Sequence, residues 1–368
     1  MSKVYTVLGL MSGTSLDGID MAIIYTDGRT IHDLDVFGTV PFTVEDRQDL
    51  QMITEKAGQW NFDGPAPNIF GAGEELVDRV HVQAIEAFLQ REGIPNLNID
   101  LIGYHGQTIL HDATRGKTLQ LGDGQRLANQ FGAPCVYDFR SEDVLKGGQG
   151  APLAPIYHKA LVNWSQLDGV TAVLNLGGVG NISIIEGDNL LASDTGPANG
   201  PLDSFLAERG VGLDDRGSVS QSGLVDFGTV DQWLSRPFFK RRWPRSADRH
   251  DFDVWDDLKD QSIEDGAATL CAFTAHSVVR TLADMDARPE RLIVCGGGRH
   301  NRTIMTLLGL ETGVPVYPSE RFGWDSDAIE AQAFGYLAAR VVEGLPNSFP
   351  TTTGVSEPVI GGRVVYPA

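Results

Sequence analysis

Three short apolar segments of this chain run directly into glycine-rich turns. Residues 4–18, 172–181 and 292–298 each begin as an apolar, β-prone run and end in glycine, serine, threonine or asparagine. In the first two cases another apolar run follows at once, which predicts two strand–turn–strand hairpins. Because one such hairpin opens each half of the chain, the pattern indicates an internal duplication.

Segments with helical spacing of apolar residues alternate with these strands. We predict helices over 45–57, 70–91, 263–286, 301–308 and 328–343. Strands that alternate with helices predict an α/β protein. The glycine-rich residues 147–155 are the expected hinge.

Length and charge exclude several classes of protein. The chain has 368 residues, which predicts two or three domains because one domain usually has about 100–200 residues. The formal net charge is −20. Nucleic-acid binders and proteins that dock on anionic membranes need basic surfaces, so neither nucleic acid nor membrane is expected as a partner.

The cysteines indicate a cellular compartment. Cys135, Cys271 and Cys295 are odd in number and have no metal-ligand spacing. Free thiols are typical of a reducing compartment, so a cytoplasmic protein is predicted. No apolar run approaches the roughly 20 residues that span a bilayer.

The glycine turns are candidate phosphate and nucleotide sites. Backbone N–H groups in the 12–18 turn can bind phosphate oxygens, and the hydroxyls of Ser12, Thr14 and Ser15 add donors. The turn lacks the Gly-Lys-Ser/Thr of a Walker loop. An ordinary hairpin turn is equally compatible with it. The 296–298 glycines would let a flat ligand such as adenine lie against the backbone, and an ordinary strand-to-helix turn is again the alternative.

Two aspartates are candidates for acid–base or metal chemistry. Asp194 lies between a strand and a Gly-Pro turn, where a carboxylate could take a proton from water or a sugar hydroxyl. It is also compatible with a plain turn aspartate. Asp203 could hold Mg²⁺ through water, or cap a helix.

Other polar residues are candidates for contacts with sugar hydroxyls or with an anionic group. His105, Gln107 and Thr108 lie within four residues and suit sugar hydroxyls, although His105 is also compatible with a structural role. Arg140 suits an anionic group, or a salt bridge to Asp138 or Glu142. Glu330 lies within an apolar helix and faces either a cleft or solvent. The basic run 236–249 is expected to be a mobile surface segment, or a cover for a bound anion.

The order of these motifs resembles the anhydro-N-acetylmuramic acid kinase family. The resemblance runs over nearly the whole chain, and its first motif, Met-Ser-Gly-Thr-Ser-Leu-Asp-Gly at 11–18, is highly specific. The motifs that follow in order are His-Gly-Gln-Thr at 105–108, Asp-Phe-Arg at 138–140, Gly-Gly-Gln-Gly-Ala-Pro at 147–152, Asn-Leu-Gly-Gly at 175–178, Asp-Thr-Gly-Pro at 194–197, Cys-Gly-Gly-Gly at 295–298, Ala-Ile-Glu-Ala at 328–331 and Thr-Gly at 353–354.

The resemblance implies the two-domain α/β fold of sugar kinases, actin and heat-shock ATPases, with a duplicated mixed sheet and ATP in the interdomain cleft. The expected domains are 1–135 with 349–368, and 136–348. The implied reaction opens the 1,6-anhydro ring of 1,6-anhydro-N-acetylmuramic acid with water. ATP phosphorylates O6, giving N-acetylmuramic acid 6-phosphate and ADP in cell-wall recycling.

The resemblance also assigns roles to residues. Asp194 is the implied general base, and ATP with Mg²⁺ is the implied cofactor, with no side chain assigned to the metal. A homodimer is implied. The implied nucleotide contacts are Gly13, Thr14, Ser15, Leu16, Asp17, Gly18, Ile19, Asp20, Gly177, Gly178, Gly296 and Gly297. The implied sugar contacts are His105, Gln107, Thr108, Arg140 and Glu330.

One segment departs from the family pattern. The family usually has Pro-Lys-Ser-Thr-Gly-Arg-Glu before an aromatic residue, whereas residues 244–252 read Pro-Arg-Ser-Ala-Asp-Arg-His-Asp-Phe. We expect this change to affect loop conformation or closure without touching the proposed base. Two other functions remain compatible with the sequence: a kinase of a neutral anhydrosugar, which would leave Arg140 without a carboxylate, and an actin-like ATPase that needs no sugar. A hydrolase without ATP is a weaker third option, because it would leave the phosphate-type turns unexplained.

Overall fold

The computed structural model, which describes residues 3–247 and 249–368, contains two β-sheets with flanking helices. The strands are β1 (Tyr5–Ser12), β2 (Gly18–Thr26), β3 (Ile31–Pro41), β4 (Leu101–Asp112), β5 (Lys117–Leu121), β6 (Cys135–Tyr137), β7 (Thr171–Leu176), β8 (Val179–Glu186), β9 (Asn189–Pro197), β10 (Arg291–Cys295), β11 (Val316–Pro318) and β12 (Arg363–Val365). The helices are α1 (Val44–Trp60), α2 (Ile69–Glu92), α3 (Gly124–Phe131), α4 (Ser141–Leu145), α5 (Pro155–Trp164), α6 (Asn199–Glu208), α7 (Phe227–Leu234), α8 (Ile263–Asp284), α9 (Arg302–Thr312) and α10 (Ile329–Val342).

The two sheets share one topology. In the first, the order is β12-β6-β4-β1-β2-β3, with β5 paired to β4; β1, β2 and β3 are antiparallel neighbours, and β4 and β6 run parallel to β1. In the second, the order is β11-β10-β7-β8-β9, with an antiparallel β7–β8–β9 meander and with β10 and β11 parallel to β7. The same strand order and directions confirm the predicted duplicated, mixed-sheet α/β fold.

Local signals place the predicted helices. The five helices predicted from apolar spacing are all present, as α1, α2, α8, α9 and α10. Side-chain caps fix where three of them begin: Thr43 accepts the N–H of Asp46, Ser262 that of Asp265, and Asn301 those of Thr303 and Ile304. Such caps satisfy N–H groups that have no partner within the helix.

The chain divides into two units, one reaching Trp164 and resuming with Asp327–Ala368, the other Ser165–Ser326. The expected bounds were 1–135 with 349–368. The second stretch begins before residue 349 because α10 packs on the first sheet. A Cβ atom at Gly9 or Gly103 would overlap the backbone carbonyl of Ala331 or Phe334 in α10. Glycine on β1 and β4 therefore lets the helix backbone approach the sheet closely.

The C-terminal tail belongs to this first unit. Strand β12 pairs antiparallel with β6, with Val364 opposite Val136. Cys135, Cys271 and Cys295 are buried free thiols. Within the described residues, no helix is both long and apolar enough to cross a bilayer.

The prediction of a mobile surface segment over 236–249 is wrong for its aromatic residues and for Arg245. Phe238 and Phe239 lie in the core of the second unit, together with Phe252. Arg245 is also buried, whereas Lys240, Arg241 and Arg242 are exposed. Aromatic anchoring of the segment overrides the loop character of its charged residues. Asp248, within this segment, lies outside the described residues.

Buried His81 gives the first unit a pH-dependent stability. Its Nδ1 lies 2.7 Å from the Val77 carbonyl, and burial lowers the pKa of His81 to about 4. Below about pH 6.5 the unfolded chain therefore binds a proton at His81, whereas the folded chain binds it only near pH 4. Stability present at neutral pH is thus lost as the pH falls. The free energy of unfolding, measured with urea, should fall between pH 7.5 and pH 5.0. We expect this fall to be about 2 kcal/mol smaller for His81→Gln than for the parent chain. Exposed His300→Gln is the control, and equal losses in all three proteins would contradict the assignment.

Candidate functional site

The turn between β1 and β2 is held from inside the first unit. The Gly13 carbonyl accepts hydrogen bonds from the Leu16 N–H at 3.2 Å and from Gln107 Nε2 at 3.2 Å. Leu16 and Ile19 are buried in the core beneath the turn. These two predicted nucleotide contacts can therefore reach a ligand only through their backbone.

The polar side chains of the turn separate into two groups. Ser12 is buried and its Oγ donates to the Gly106 carbonyl at 3.0 Å. Its hydroxyl is thus engaged in the fold, contrary to the expectation that it would bind phosphate. Thr14, Ser15 and Asp17 are exposed, and Ser15 Oγ donates to Asp17 Oδ1 at 2.8 Å. The exposed group is the one that a ligand can reach.

Asp20 lies among other carboxylates at the start of β2. Burial raises the pKa of Asp20 to about 6, a hydrogen bond from Thr39 opposes that shift, and the charges of Asp17, Glu330 and Asp327 add to it. Glu330 is exposed in the first turn of α10. A cation near this group would relieve the mutual repulsion of the carboxylates. Among the described residues, no group of three or more His, Cys, Asp or Glu side chains has the arrangement of a metal site.

His105 is engaged through both ring nitrogens. Nδ1 lies 2.7 Å from the Gly106 carbonyl and must donate to it, which leaves Nε2 as an acceptor. Arg140 supplies the donors, with Nη2 at 2.9 Å and Nε at 3.2 Å from Nε2. Burial, followed by the Arg140 charge, holds the pKa of His105 well below its usual range. A neutral His105 thus orients Arg140. Of the two alternatives for His105, this arrangement favours the structural role.

Arg140 is half-buried and fixed on two sides. Besides His105, its Nη1 donates to the Gly150 carbonyl at 2.6 Å. Asp138, one of the alternative partners considered for Arg140, forms an ion pair with Arg363 at 3.0 Å. Two hydrogen-bonded sides leave the guanidinium with a defined orientation.

The other predicted sugar contacts lie on β4 beside the β1–β2 turn. Gln107 is buried, and its Oε1 has no hydrogen-bond partner among the described residues. Thr108 is half-buried and its Oγ1 accepts from Gln120 Nε2 at 3.2 Å. Within the first unit the fold therefore brings the 105–108 motif next to the 13–18 turn.

Asp143 was missed by the sequence analysis. It is fully buried, and its carboxylate accepts the Gly150 N–H at 2.6 Å and the Thr353 hydroxyl at 2.6 Å. It thereby fixes the glycine loop whose carbonyl holds Arg140. Asp143 and Thr353 lie 210 positions apart, so no local pattern indicated their contact. The Thr353-Gly354 motif was the one signal in the sequence.

The glycine turns of the second unit meet at one sheet edge. Strands β7 and β10 are parallel neighbours, so the turns at 177–178 and 296–298 follow them at the same edge. Asn199 lies between them: its N–H donates to the Gly177 carbonyl at 2.8 Å, and its Nδ2 donates to the Leu176 carbonyl at 3.2 Å. In open α/β sheets, ligands usually bind beyond the carboxyl ends of such strands.

Gly296 needs glycine for its backbone conformation and internal packing, whereas Gly178 has open space beside it. Gly296 has a φ of 76°, and its N–H donates to Ser326 Oγ at 2.8 Å. No atom lies within 4 Å of a Cβ placed on Gly178. The two turns thus expose backbone rather than side chains.

Asp194 lies in β9 and is buried. Its Oδ2 accepts the Ala247 N–H at 2.8 Å, and its own N–H donates to the Arg245 carbonyl at 2.9 Å. The expectation that the atypical 244–252 segment would not touch the proposed base is therefore wrong. The segment bonds to β9 at Asp194, including its carboxylate. The sequence did not indicate this contact, because Ala247 and Asp194 are 53 positions apart.

Asp203 is half-buried inside α6, in its second turn. It does not cap that helix, since Ala198 is the residue that precedes its first turn. The helix-capping alternative for Asp203 is thus wrong.

Comparisons with known proteins found a matching family model and relatives of the same name. The model of the anhydro-N-acetylmuramic acid kinase family matches residues 5–368. A protein of that name from Rhizobium rhizogenes is 45% identical over 373 residues, covering 99% of this chain and 100% of its own. Another from Caulobacter vibrioides is 46% identical over 365 residues, covering 98% of each. A solved structure, (R)-2-hydroxyglutaryl-CoA dehydratase component A from Acidaminococcus fermentans, aligns with 92% of this chain and 99% of its own at 14% identity and a TM-score of 0.48.

Proposed function

The chain belongs to the anhydro-N-acetylmuramic acid kinase family, and from this premise we propose which residues carry each step of its reaction. It is a phosphotransferase that uses ATP. Its substrates are 1,6-anhydro-N-acetylmuramic acid, ATP and water, and its products are N-acetylmuramic acid 6-phosphate and ADP. The match of the family over residues 5–368 carries this conclusion.

Asp194 is the general base of the reaction. Its carboxylate takes a proton from water as the water oxygen bonds to the anomeric carbon and the bond from that carbon to O6 breaks. The released O6 then attacks the γ-phosphorus, and ADP leaves. The buried carboxylate accepts the Ala247 N–H at 2.8 Å, which fixes its orientation. This supports the role, because a general base must be held within hydrogen-bond reach of the proton that it takes.

The glycine turns bind the nucleotide. The backbone from Gly13 to Asp20, with the exposed Thr14 and Ser15, binds phosphate oxygens. Gly177, Gly178, Gly296 and Gly297 take the rest of the nucleotide, supported by their position at one edge of the second sheet. Phosphoryl transfer depends mainly on such positioning and on charge stabilisation.

Bound together with ATP, Mg²⁺ would supply positive charge to the phosphates during transfer. Asp20 is the residue of the first unit best suited to interact with it. The raised pKa of Asp20 and the nearby Asp17, Glu330 and Asp327 support this assignment, since a cation would favour the ionised carboxylate.

Arg140 binds the lactyl carboxylate of the sugar. Its orientation by His105 and the Gly150 carbonyl supports a role in recognising a planar anion. Gln107, Thr108 and Glu330 contact the sugar, and His105 acts through Arg140. The buried Gln107 Oε1, which lacks a partner among the described residues, supports a contact with a sugar hydroxyl.

The protein acts in the cytoplasm as a homodimer, with no nucleic acid or membrane partner. The buried free thiols support a reducing compartment, and the net charge of −20 argues against polyanionic partners. Light scattering of the purified protein tests the dimer, and a monomer mass would overturn it.

The first experiment measures ADP release with and without 1,6-anhydro-N-acetylmuramic acid and identifies the product by mass. We expect sugar-dependent ADP release and a product that has gained one phosphate and one water. ADP release only with a neutral anhydrosugar would indicate a different substrate. ADP release that is indifferent to sugar would indicate an actin-like ATPase.

The Asp20 assignment predicts a conflict between stability and function. With a folded pKa of about 6 against 3.8 when unfolded, Asp20 makes the folded chain less stable as the pH rises from 4 to 6. We expect Asp20→Asn to raise the Tm by about 3 °C at pH 7.5, and less at pH 5, while raising the KM for MgATP. Exposed Asp49→Asn is the control. A lower Tm at pH 7.5, or an unchanged KM, would contradict the assignment.

A further inference from the structure

Arg245 has a buried guanidinium and belongs to the segment that bonds the proposed base. Its side chain is 1% exposed. Nη1 donates to Asp284 Oδ2 at 3.0 Å and to the Arg241 carbonyl at 3.2 Å, and Nη2 donates to Thr281 Oγ1 at 2.9 Å. The guanidinium also lies 4.9 Å from the ring centroid of Phe238. The Arg245 side chain is thus fixed to α8 and to the aromatic core.

The backbone around Arg245 is fixed to β9. The Arg245 N–H donates to Ser193 Oγ at 3.1 Å, and the Arg245 carbonyl accepts the Asp194 N–H at 2.9 Å. Two residues further on, the Ala247 N–H donates to the Asp194 carboxylate. Anchoring Arg245 therefore determines where the donor to Asp194 lies.

Stability alone does not explain a charge at this position. Burial lowers the pKa of Arg245, and Asp284 only partly opposes that effect. Arg245 Nε is buried without a partner among the described residues. A well-packed apolar side chain of similar volume is often as stabilising as a buried ion pair. A role in positioning the carboxylate of Asp194 would explain the arrangement instead. The charge of Asp194 interacts with that of Arg245.

The geometry points to Arg245 as a positioning residue for catalysis: through Asp284 and Thr281 it fixes the 245–247 segment, so that the Ala247 N–H orients the Asp194 carboxylate toward the attacking water. This inference rests on the proposed role of Asp194. It also gives the atypical segment a function, because the segment carries the donor to Asp194. Other members of the family usually have lysine where this chain has Arg245. Arginine and lysine both carry the charge, but the planar guanidinium holds its bonds to Thr281, Asp284 and the Arg241 carbonyl in one fixed geometry, whereas a lysine ammonium is a point charge on a flexible stem.

Arg245→Met and Arg245→Lys test the inference by steady-state kinetics. Methionine keeps the apolar stem and removes the charge, so we expect kcat to fall about 10- to 100-fold, with the dissociation constant of ATP unchanged. Lysine retains the charge and a bond to Asp284, so we expect it to recover most of kcat. A kcat for the methionine variant equal to that of the parent chain would overturn the inference.

Matched variants separate positioning from loss of stability. Arg280 also bonds Asp284, at 3.0 Å, but makes no described contact with the 245–247 segment, so Arg280→Gln should keep kcat. Leu308→Ala removes buried core contacts elsewhere in the second unit and should lower the Tm. Its kcat, measured at a temperature well below the Tm, should be unchanged. If this variant loses kcat as Arg245→Met does, the effect is one of stability and the inference is wrong.

Asp194→Asn, measured in parallel, separates this inference from the proposed function. An active Asp194→Asn variant overturns the assignment of the base and the inference with it. An inactive Asp194→Asn variant beside a fully active Arg245→Met variant overturns only the positioning role.

Discussion

Replacing Asp194 with asparagine is expected to lower kcat by about 10²- to 10⁴-fold, the usual contribution of a general base. Asparagine keeps an oxygen that can accept the Ala247 N–H, so the local fold should remain. It cannot take a proton from water. Since the nucleotide contacts are assigned to other residues, the dissociation constant of ATP should stay the same. Steady-state ADP release and calorimetric ATP titration measure the two quantities.

Asp188 provides the matched control for this experiment. It is exposed on the turn between β8 and β9, the strands that lead to Asp194. Asp188→Asn changes the net charge by the same amount and should keep kcat. Near-normal turnover by Asp194→Asn would show that another group activates the water.

Replacing Arg140 with alanine is expected to raise the KM for 1,6-anhydro-N-acetylmuramic acid by about 10- to 100-fold, because a charge-assisted contact contributes about 1.5–3 kcal/mol. The variant also leaves His105 Nε2 and the Gly150 carbonyl without their donor. A general loss of structure would therefore affect every substrate, and the comparison needs a sugar without the lactyl group.

The neutral 1,6-anhydro-N-acetylglucosamine supplies that comparison. The parent chain should discriminate strongly in favour of the acidic sugar, and Arg140→Ala should lose most of that discrimination. Arg115→Ala, which removes a surface ion pair with Asp63 in the same unit, should leave it unchanged. If Arg140→Ala affects both sugars equally, Arg140 does not bind the carboxylate.

Local sequence patterns predicted the elements and their duplication. The two strand–glycine–strand segments became β1–β2 and β7–β8, and the apolar spacing predicted α1, α2 and α8. These features depend on neighbours a few residues away, so the sequence expresses them directly. The boundaries of the two units were not predicted in this way. They depend on the glycines of β1 and β4 that admit α10, a contact between residues more than 200 positions apart.

The same distinction applies to the site. The sequence by itself determined which residue types are present at the turns: glycine where backbone must be exposed, hydroxyls at 14 and 15, and a carboxylate at 194. Only the tertiary structure decided which side chains remain accessible. It engages Ser12 and both nitrogens of His105 in internal hydrogen bonds, and it brings Ala247 to Asp194 across 53 positions. Hydrogen-bond partners and burial depend on contacts between distant segments, and no local pattern specifies those contacts.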